Sequence, residues 1–510
     1  MSILSIPILA WLLLLPVLGG LVLLFLPAGK TNLLRWTALG FSLLPLVISI
    51  VLWVNYQPNS GDLFQFEMNL PWFEAIHSNL HFGIDGISLT MVLLTALLTP
   101  LSILTSFNIK VNVKAFMILF LLLETGILGV FLSLDLILFF LFWELGLVPM
   151  YFLINLWGGE KRNYASLKFI LFTMGGSLGL LLAIQMMGVV SGTFDFVEIL
   201  STWPALQGAS LFGLPIATVK SIAFWAFVIA FAVKVPVWPV HTWLPDAHTE
   251  APTGGSMMLA GVLLKLGAYG FLRLVLPLFP AESARFAGWL AVLAVAAIVF
   301  GAFSAAGQSD FKRLVAYSSI NHMGFVVLGV AAAAWAGGSA DEAVRQSSII
   351  AVDGAVLQMF NHGLSAAGMF FLVGVLYDRA HTRQMDQFGG LFAILPVYGA
   401  ILIFLSMASL GLPGLNGFVS EFMIVRGSWP IFMLLTAVSM LGLLFTGVYV
   451  LKALKLVLQG PLNESWRGKL SDISLREILV ISPLMLLILS IGIWPAWILN
   501  LINQTVMRWF

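Results

Sequence analysis

Fourteen stretches of about 20 apolar residues run through this chain, and a stretch of that length crosses a bilayer when it is helical. They span approximately 3–26, 33–54, 85–107, 114–134, 136–157, 164–190, 218–246, 253–279, 284–306, 314–336, 353–377, 391–426, 430–456 and 476–500. Hydrocarbon offers no partner for a backbone N–H or C=O, so each stretch must satisfy its own polar groups as a helix. The expected class is therefore an all-α polytopic membrane protein. Composition agrees: 9% of the 510 residues are charged and 60% are hydrophobic, where soluble domains carry about 25% charged residues. The first stretch, Ile3–Leu26, is too long for a signal-peptide core and lacks a basic leader, so it reads as a retained helix. Long connections are expected at Tyr56–Phe82, Val190–Thr218 and Gln459–Arg476.

Charge placement tests the count. With fourteen crossings the loops alternate between two sides. Sixteen of the 24 lysines and arginines fall in or beside loops of one parity, six fall in the other, and Lys234 and Lys265 lie inside crossings. Lysine and arginine collect on the cytoplasmic side, which puts both termini on the periplasmic side of a bacterial inner membrane or its equivalent. A net charge of +1 gives no pointer to nucleic acid. The chain has no cysteine, which excludes thiolate-held iron–sulfur clusters and disulfides within it.

Two crossings are interrupted. The seventh contains Lys234-Val-Pro-Val-Trp-Pro239, where Pro236 lacks an amide donor and clashes with the Ala232 carbonyl. The twelfth contains Leu410-Gly-Leu-Pro-Gly-Leu-Asn-Gly417. Irregular backbone at membrane depth persists where it is buried in protein or lines a wet cavity, and paired interrupted helices mark transporter repeats. Helices 4–8 (114–280) and 9–13 (281–457) then form two five-helix units. The odd helix number makes the second inverted relative to the first. Residues 1–113 supply three preceding helices and 458–510 a loop and the fourteenth.

Six ionisable side chains lie deep inside these crossings: Glu144, Lys234, Lys265, His322, His362 and Glu421. A charge at the centre of a membrane helix costs about 2.5–3.5 kcal/mol on insertion scales, and such residues mark proton or ion pathways. Glu144 lies nine residues beyond Asp135, or ~13–14 Å at ~1.5 Å per residue, close to mid-depth. The alternative for it is a neutral, hydrogen-bonded carboxyl. Lys234 sits at a helix break, where a Coulomb pair with Glu144 would make it hold or release a proton; the alternative is snorkelling. An unperturbed histidine titrates near pH ~6.5, which makes His322 and His362 candidates for a relay. They could instead be packing contacts, or hold a haem between them. Glu421 follows the second break. Glu124, in the fourth crossing, is a weaker candidate balanced against a structural role. Arg273 reads as interfacial, and Asp135, His241, Asp246, His248 and Glu250 as capped or solvated groups that could form an entrance.

Phe142-Trp-Glu-Leu-Gly-Leu-Val-Pro-Met150, Lys234 to His248, Glu250-Ala-Pro-Thr-Gly-Gly-Ser256, Ala260 to Gly270, Tyr317 to Phe325 and Gly411 to Glu421 resemble the antiporter-like M subunits of proton-pumping NADH:quinone oxidoreductase (respiratory complex I). The likeness covers nearly the whole chain. It implies a fold of two inverted five-helix units with discontinuous helices 7 and 12. It also implies a proton relay in which Glu144 is the helix-5 glutamate, Lys234 the pumping lysine, Lys265 the central lysine, His322 and His362 the bridging histidines and Glu421 the terminal acid. A chain ending soon after helix 14 favours the M type over its longer L sibling. The resemblance implies no cofactor in this chain, with flavin, iron–sulfur clusters and quinone in partner subunits, and sibling antiporter-like subunits beside it. Multisubunit sodium/proton antiporters and hydrogenase- or ferredoxin-linked complexes share the relay and remain alternatives.

Overall fold

The computed structural model describes residues 7–208, 210–211 and 213–509, so residues 3–6 of the first expected crossing lie outside the described residues. In chain order come α1 (Ile8–Phe25), α2 (Thr31–Asn55), a hairpin of β1 (Gln65–Phe73) and β2 (Ser78–Ile84), α3 (Gly86–Thr105), α4 (Val113–Leu132), α5 (Leu136–Leu145), α6 (Leu147–Trp157), α7 (Arg162–Ser191) and α8 (Phe196–Ala205). A short ladder of β3 (Ser210–Leu211) and β4 (Leu214–Pro215) precedes α9 (Ile216–Lys234) and α10 (Trp243–Glu250). The next rod is built from α11 (Thr253–Met258), α12 (Leu264–Gly270) and α13 (Leu276–Leu278), separated by π turns at Leu259–Leu263 and Phe271–Val275. There follow α14 (Pro280–Ala306), α15 (Phe311–Ala336), α16 (Glu342–Ala380), α17 (Pro396–Leu410), α18 (Asn416–Ser428), α19 (Met433–Leu458), α20 (Leu475–Ile493) and α21 (Ala496–Trp509).

Among the described residues, 13 helical stretches are long and apolar enough to cross a membrane. The remaining crossing is α17, cut to 15 residues by the break that separates it from α18. Loops of one parity share one end of the molecule, the basic face. There Arg35 Nη2 donates to the Ile109 carbonyl at 2.7 Å, Trp157 Nε1 to Val111 at 2.7 Å and Arg383 Nη1 to Thr249 at 2.7 Å. Loops of the other parity meet at the opposite end. Leu134 N donates to the His81 carbonyl at 2.9 Å, and Arg508 Nη1 to Asp62 at 2.5 Å.

The rod Thr253–Leu278 and α16 are the axis of the body: the most apolar window of each is 100% buried, against 33% for α2, α7 and α19. In a bilayer the lipid is as apolar as leucine, so helices associate through close packing at small residues. A Cβ placed on Gly363 would lie 2.8 Å from the Gly261 carbonyl, and one on Gly126 2.6 Å from the Gly146 nitrogen. These glycines let α16 approach the rod, and α4 approach the α5–α6 junction, at backbone distance.

Both expected interruptions are present. At the first, Pro236 gives no N–H to Ala232; the Val237 amide takes that carbonyl at 2.7 Å, and the freed Val233 carbonyl accepts Trp243 Nε1 at 2.8 Å. At the second, Gly411 (φ 79°) and Gly414 (φ 93°) adopt the left-handed region that glycine tolerates without cost, flanking Pro413. The Leu412 amide returns to Met407 at 3.1 Å.

The fifth crossing, Leu136–Trp157, holds as one span with a local irregularity at Gly146, whose backbone stays αR, because Pro149 removes the amide that would serve the Leu145 carbonyl. Several expectations are corrected. The eleventh starts at Glu342, before the expected residue 353, and puts Asp353 inside a helix. The long connections are not plain loops. One carries the β1–β2 hairpin, another α8, and α21 folds back after the fourteenth crossing. Arg273 is not an interfacial snorkel. It is buried, with Nη2 2.5 Å from Asp85 Oδ2.

Candidate functional site

Four of the six intramembrane candidates form one buried chain of contacts. The Gly261–Gly363 crossing sets His362 of α16 beside Lys265 of the rod, with Lys265 Nζ 2.8 Å from His362 Nδ1. The Lys265 ammonium also donates to the Ala260 carbonyl, in the π turn just before it. The His362 and His322 ring centroids are 5.6 Å apart. His322 Nδ1 then lies 2.7 Å from Glu421 Oε1, at the start of the helix that follows the second break.

The far end of this chain is fixed by a polar network. Glu421 Oε1 also accepts Gln358 Nε2 at 3.0 Å, and Gln358 Oε1 accepts the Ser420 hydroxyl at 2.5 Å. Asn361 Nδ2 donates to the Asn416 carbonyl at 2.8 Å, and Asn416 Nδ2 returns a bond to the Asn361 carbonyl at 3.2 Å. This reciprocal pair ties the irregular segment to α16. It leaves carboxylate and imidazole pre-aligned, with the Tyr449 hydroxyl 3.4 Å from His322 Nε2.

Glu144 and Lys234 are close to each other but unjoined. No ion pair within 4.0 Å connects them among the described residues. Lys234 Nζ instead sits 4.7 Å from the centre of the Trp143 ring, whose Nε1 donates to Ser177 Oγ at 2.9 Å. A cation over an indole face retains part of the stabilisation that water would give. Neither Lys234 Nζ nor Glu144 Oε1 has a hydrogen-bond partner among the described residues. Lys234 packs against the rod that carries Lys265: a Cβ on Gly267 would lie 3.0 Å from Lys234 Cβ. Glu124 stands apart. It is fully buried on α4, and neither oxygen is bonded among the described residues.

The remaining polar residues divide. Asp135 caps α5, accepting from the Ile137 and Leu138 amides at 2.9 and 3.1 Å. Asp246 Oδ2 pairs with Lys168 Nζ at 2.7 Å, and Glu250 Oε2 accepts the Lys161 amide at 2.9 Å. His248 is neither capped nor solvated. It is completely buried, and its ring is stacked on Phe370 at 4.4 Å and 6°.

Gln358 and Tyr449 are the residues that sequence reasoning passed over, while His248 was read as capped or solvated. Gln358 carried a signal: with Asn361 and His362 it forms a polar set within the mostly apolar stretch 354–377 of α16. His362 is engaged by Lys265 and His322 by Glu421, each on its Nδ1 atom.

Comparison with known proteins identifies the family. Residues 133–446 match the family described as NADH:quinone oxidoreductase/Mrp antiporter, TM. NADH-quinone oxidoreductase subunit M of Rhodobacter capsulatus is 39% identical over 486 residues, covering 94% of this chain and 91% of the relative. The subunit M of Escherichia coli (strain K12) is 40% identical over 524 residues, covering 99% and 98%. A chain of respiratory complex I from Thermus thermophilus superposes with a TM-score of 0.85 at 28% identity over 98% of both chains. A chain of the Mrp complex from Dietzia sp. DQ12-45-1b shares the fold, with a TM-score of 0.81 at 18% identity over 100% of this chain and 98% of that one. The chain therefore belongs to the NADH-quinone oxidoreductase subunit M family, within the wider group of NADH:quinone oxidoreductase and Mrp antiporter membrane proteins.

Proposed function

We propose that the chain is a proton-translocating membrane subunit of an NADH:quinone oxidoreductase, moving protons along Glu144, Lys234, Lys265, His362, His322 and Glu421. The observation that carries this reading is the contiguous buried contact Lys265–His362–His322–Glu421. Such groups at membrane depth are costly unless used. The basic face is cytoplasmic by the positive-inside rule. Protons enter the row from that side and leave near Glu421 on the other, where both termini lie. Electron transfer and quinone reduction take place in partner subunits that carry flavin, iron–sulfur clusters and quinone. They reach this chain as a change in electrostatics along the row. Residues 114–280 and 281–457 act as inverted units, each breaking one helix beside a titratable group, and sibling antiporter-like subunits are among the partners. Glu124 is a weaker member, off the main line.

The test is Glu421→Gln in the assembled complex, with proton translocation into inverted membrane vesicles measured beside NADH oxidation. Loss of translocation with assembly intact is expected; full pumping overturns the relay. A sodium/proton exchanger is the second reading, resting on the shared fold. Sodium-dependent proton movement without quinone turnover would establish it.

A further inference from the structure

The rod does not end at the relay. Beyond Lys265 it sets Tyr269, Arg273 and Pro277 at four-residue steps, which are neighbours on one helix face. Pro277 lines a cavity of about 300 Å³ at the end opposite the basic face, with Leu276, Ser283, Ala334, Ser348 and Trp509. That is room for several waters. At ~1.5 Å per residue, Pro277 is ~18 Å from Lys265 along the axis. Once a proton gradient stands, protons on this side are drawn back inward, so the gap must be closed for the relay to keep what it moves.

A buried cluster fills the gap. Arg273 Nη2 lies 2.5 Å from Asp85 Oδ2, and Arg273 Nε donates to the Tyr269 hydroxyl at 3.2 Å. That hydroxyl donates in turn to the Phe131 carbonyl at 3.2 Å, in the last turn of α4. Asp85 is held from behind by the Ile87 and Ser88 amides at 3.1 and 2.9 Å. All three side chains are buried, and the guanidinium lies 5.1 Å from the ring of Trp509, which the cavity shares. A guanidinium has donors but no acceptor, and a backbone carbonyl has no proton to hand on. These bonds therefore offer a proton no through path. The Lys265 ammonium bonds the Ala260 carbonyl, on the turn away from Tyr269. Apolar residues of similar volume often serve as well as a buried ion pair or better, so a pair set between cavity water and Lys265 asks for a use.

We propose that the Arg273–Asp85 pair is a plug against proton back-flow. It bars the water of this cavity from Lys265, so protons that have reached the outlet side do not return to the middle of the row. The inference rests on the proton-translocating reading above. Neither residue carries the transported proton. Tyr269 anchors the guanidinium across the gap, and the α3 amides anchor Asp85.

The experiment uses the purified whole complex in sealed vesicles without NADH. A pH step, acid on the cavity side, is imposed and its decay followed. In Asp85→Asn with Arg273→Ala the vacated space takes up water, and the step should decay on the order of tenfold faster, a barrier change of about 1.4 kcal/mol. Asp85→Asn with Arg273→Met makes the same charge change but refills the volume, and should be as tight as the unaltered complex. Adding Lys265→Met to the leaking variant should stop the leak, whereas a hole left by loose packing alone would leak with or without Lys265. Unchanged decay in the alanine variant, or a leak indifferent to Arg273→Met or to Lys265→Met, overturns the plug. Where these variants fail to assemble, single cysteines in a chain that has none decide. A small membrane-impermeant thiol reagent added on the cavity side should modify Leu276→Cys, on the cavity wall, and spare Leu272→Cys, one turn inward. Modification of both, or of neither, overturns the plug. Glu421→Gln separates the two levels. If it pumps normally the relay fails. If it is dead while the alanine variant stays tight, the relay stands and the plug falls.

Discussion

Lys265 Nζ and His362 Nδ1 face each other at 2.8 Å in a site that excludes bulk water. At that separation one group must donate and the other accept, so the contact holds a proton on one side only. His322 and Glu421 stand in the same relation at 2.7 Å. Between the two contacts lie the histidine rings, 5.6 Å apart, the interval that the proposed relay has to cross.

Lys265→Met removes the donor while keeping length and apolar bulk. Proton translocation should drop by about 100-fold, within the range for losing a positioned acid–base group. His362→Gln, which keeps a polar group but cannot titrate, should behave alike. Vesicle acidification normalised to NADH oxidation measures both.

Gly267→Ala tests packing beside the relay without removing any titratable group. The added Cβ would lie 2.7 Å from the Phe231 carbonyl and 2.9 Å from Val235 Cγ2. Backbone on either side of Lys234 must then shift. Overpacking of this kind costs about 1–3 kcal/mol. Reduced thermal stability of the complex should accompany slower pumping, and Gly288→Ala, which meets nothing within 4 Å, is the control.

The positions of the crossings and of two interruptions could be read directly from residue order, because hydropathy and proline act locally. Pro236 and Pro413 remove amides wherever they stand. The local irregularity at Gly146 was equally written in Pro149, but the apolar run 145–151 continues through it. The π turns around Lys265 carried no such mark. The pairing of Asp85 with Arg273, and the burial of His248, depend on partners more than 100 residues away and cannot be inferred from spacing. Helix α21 did leave a trace: Trp497, Ile498, Leu501, Ile502, Thr505 and Trp509 recur every three to four residues, an amphipathic pattern masked by the crossing before it.

Arg273→Ala should destabilise the subunit strongly. The guanidinium bonds Asp85 and lies 5.0, 5.4 and 5.1 Å from the Phe64, Tyr269 and Trp509 rings. Removing it strands a buried carboxylate, at about 3–5 kcal/mol. Thermal denaturation of the purified complex should show the loss, and adding Asp85→Asn should recover part of it.

The hairpin at the other face should loosen at high pH. His81 Nδ1 lies 2.6 Å from Asp195 Oδ2, and Nε2 lies 3.5 Å from Glu67. Burial disfavours the imidazolium, but the bond to and charge of Asp195, with Glu67, outweigh it and raise the pKa of His81 above its ordinary value. The stabilisation is therefore complete below about pH 6.5, the value of a free histidine, and is lost as pH rises through the raised folded value. Hydrogen exchange of residues 65–84 should accelerate between these limits, and His81→Gln should remove the pH dependence.

Helix α21 also bears on the order in which the protein matures. Thr505 accepts the amide of Gly86, 419 positions earlier, and Arg508 holds Asp62, 446 positions earlier. Chains fold from the amino end as they are made. The pocket enclosing Asp85 and Arg273 must therefore stay open to water until α21 has been made and docked, so α3 is sealed only after the helices that follow it.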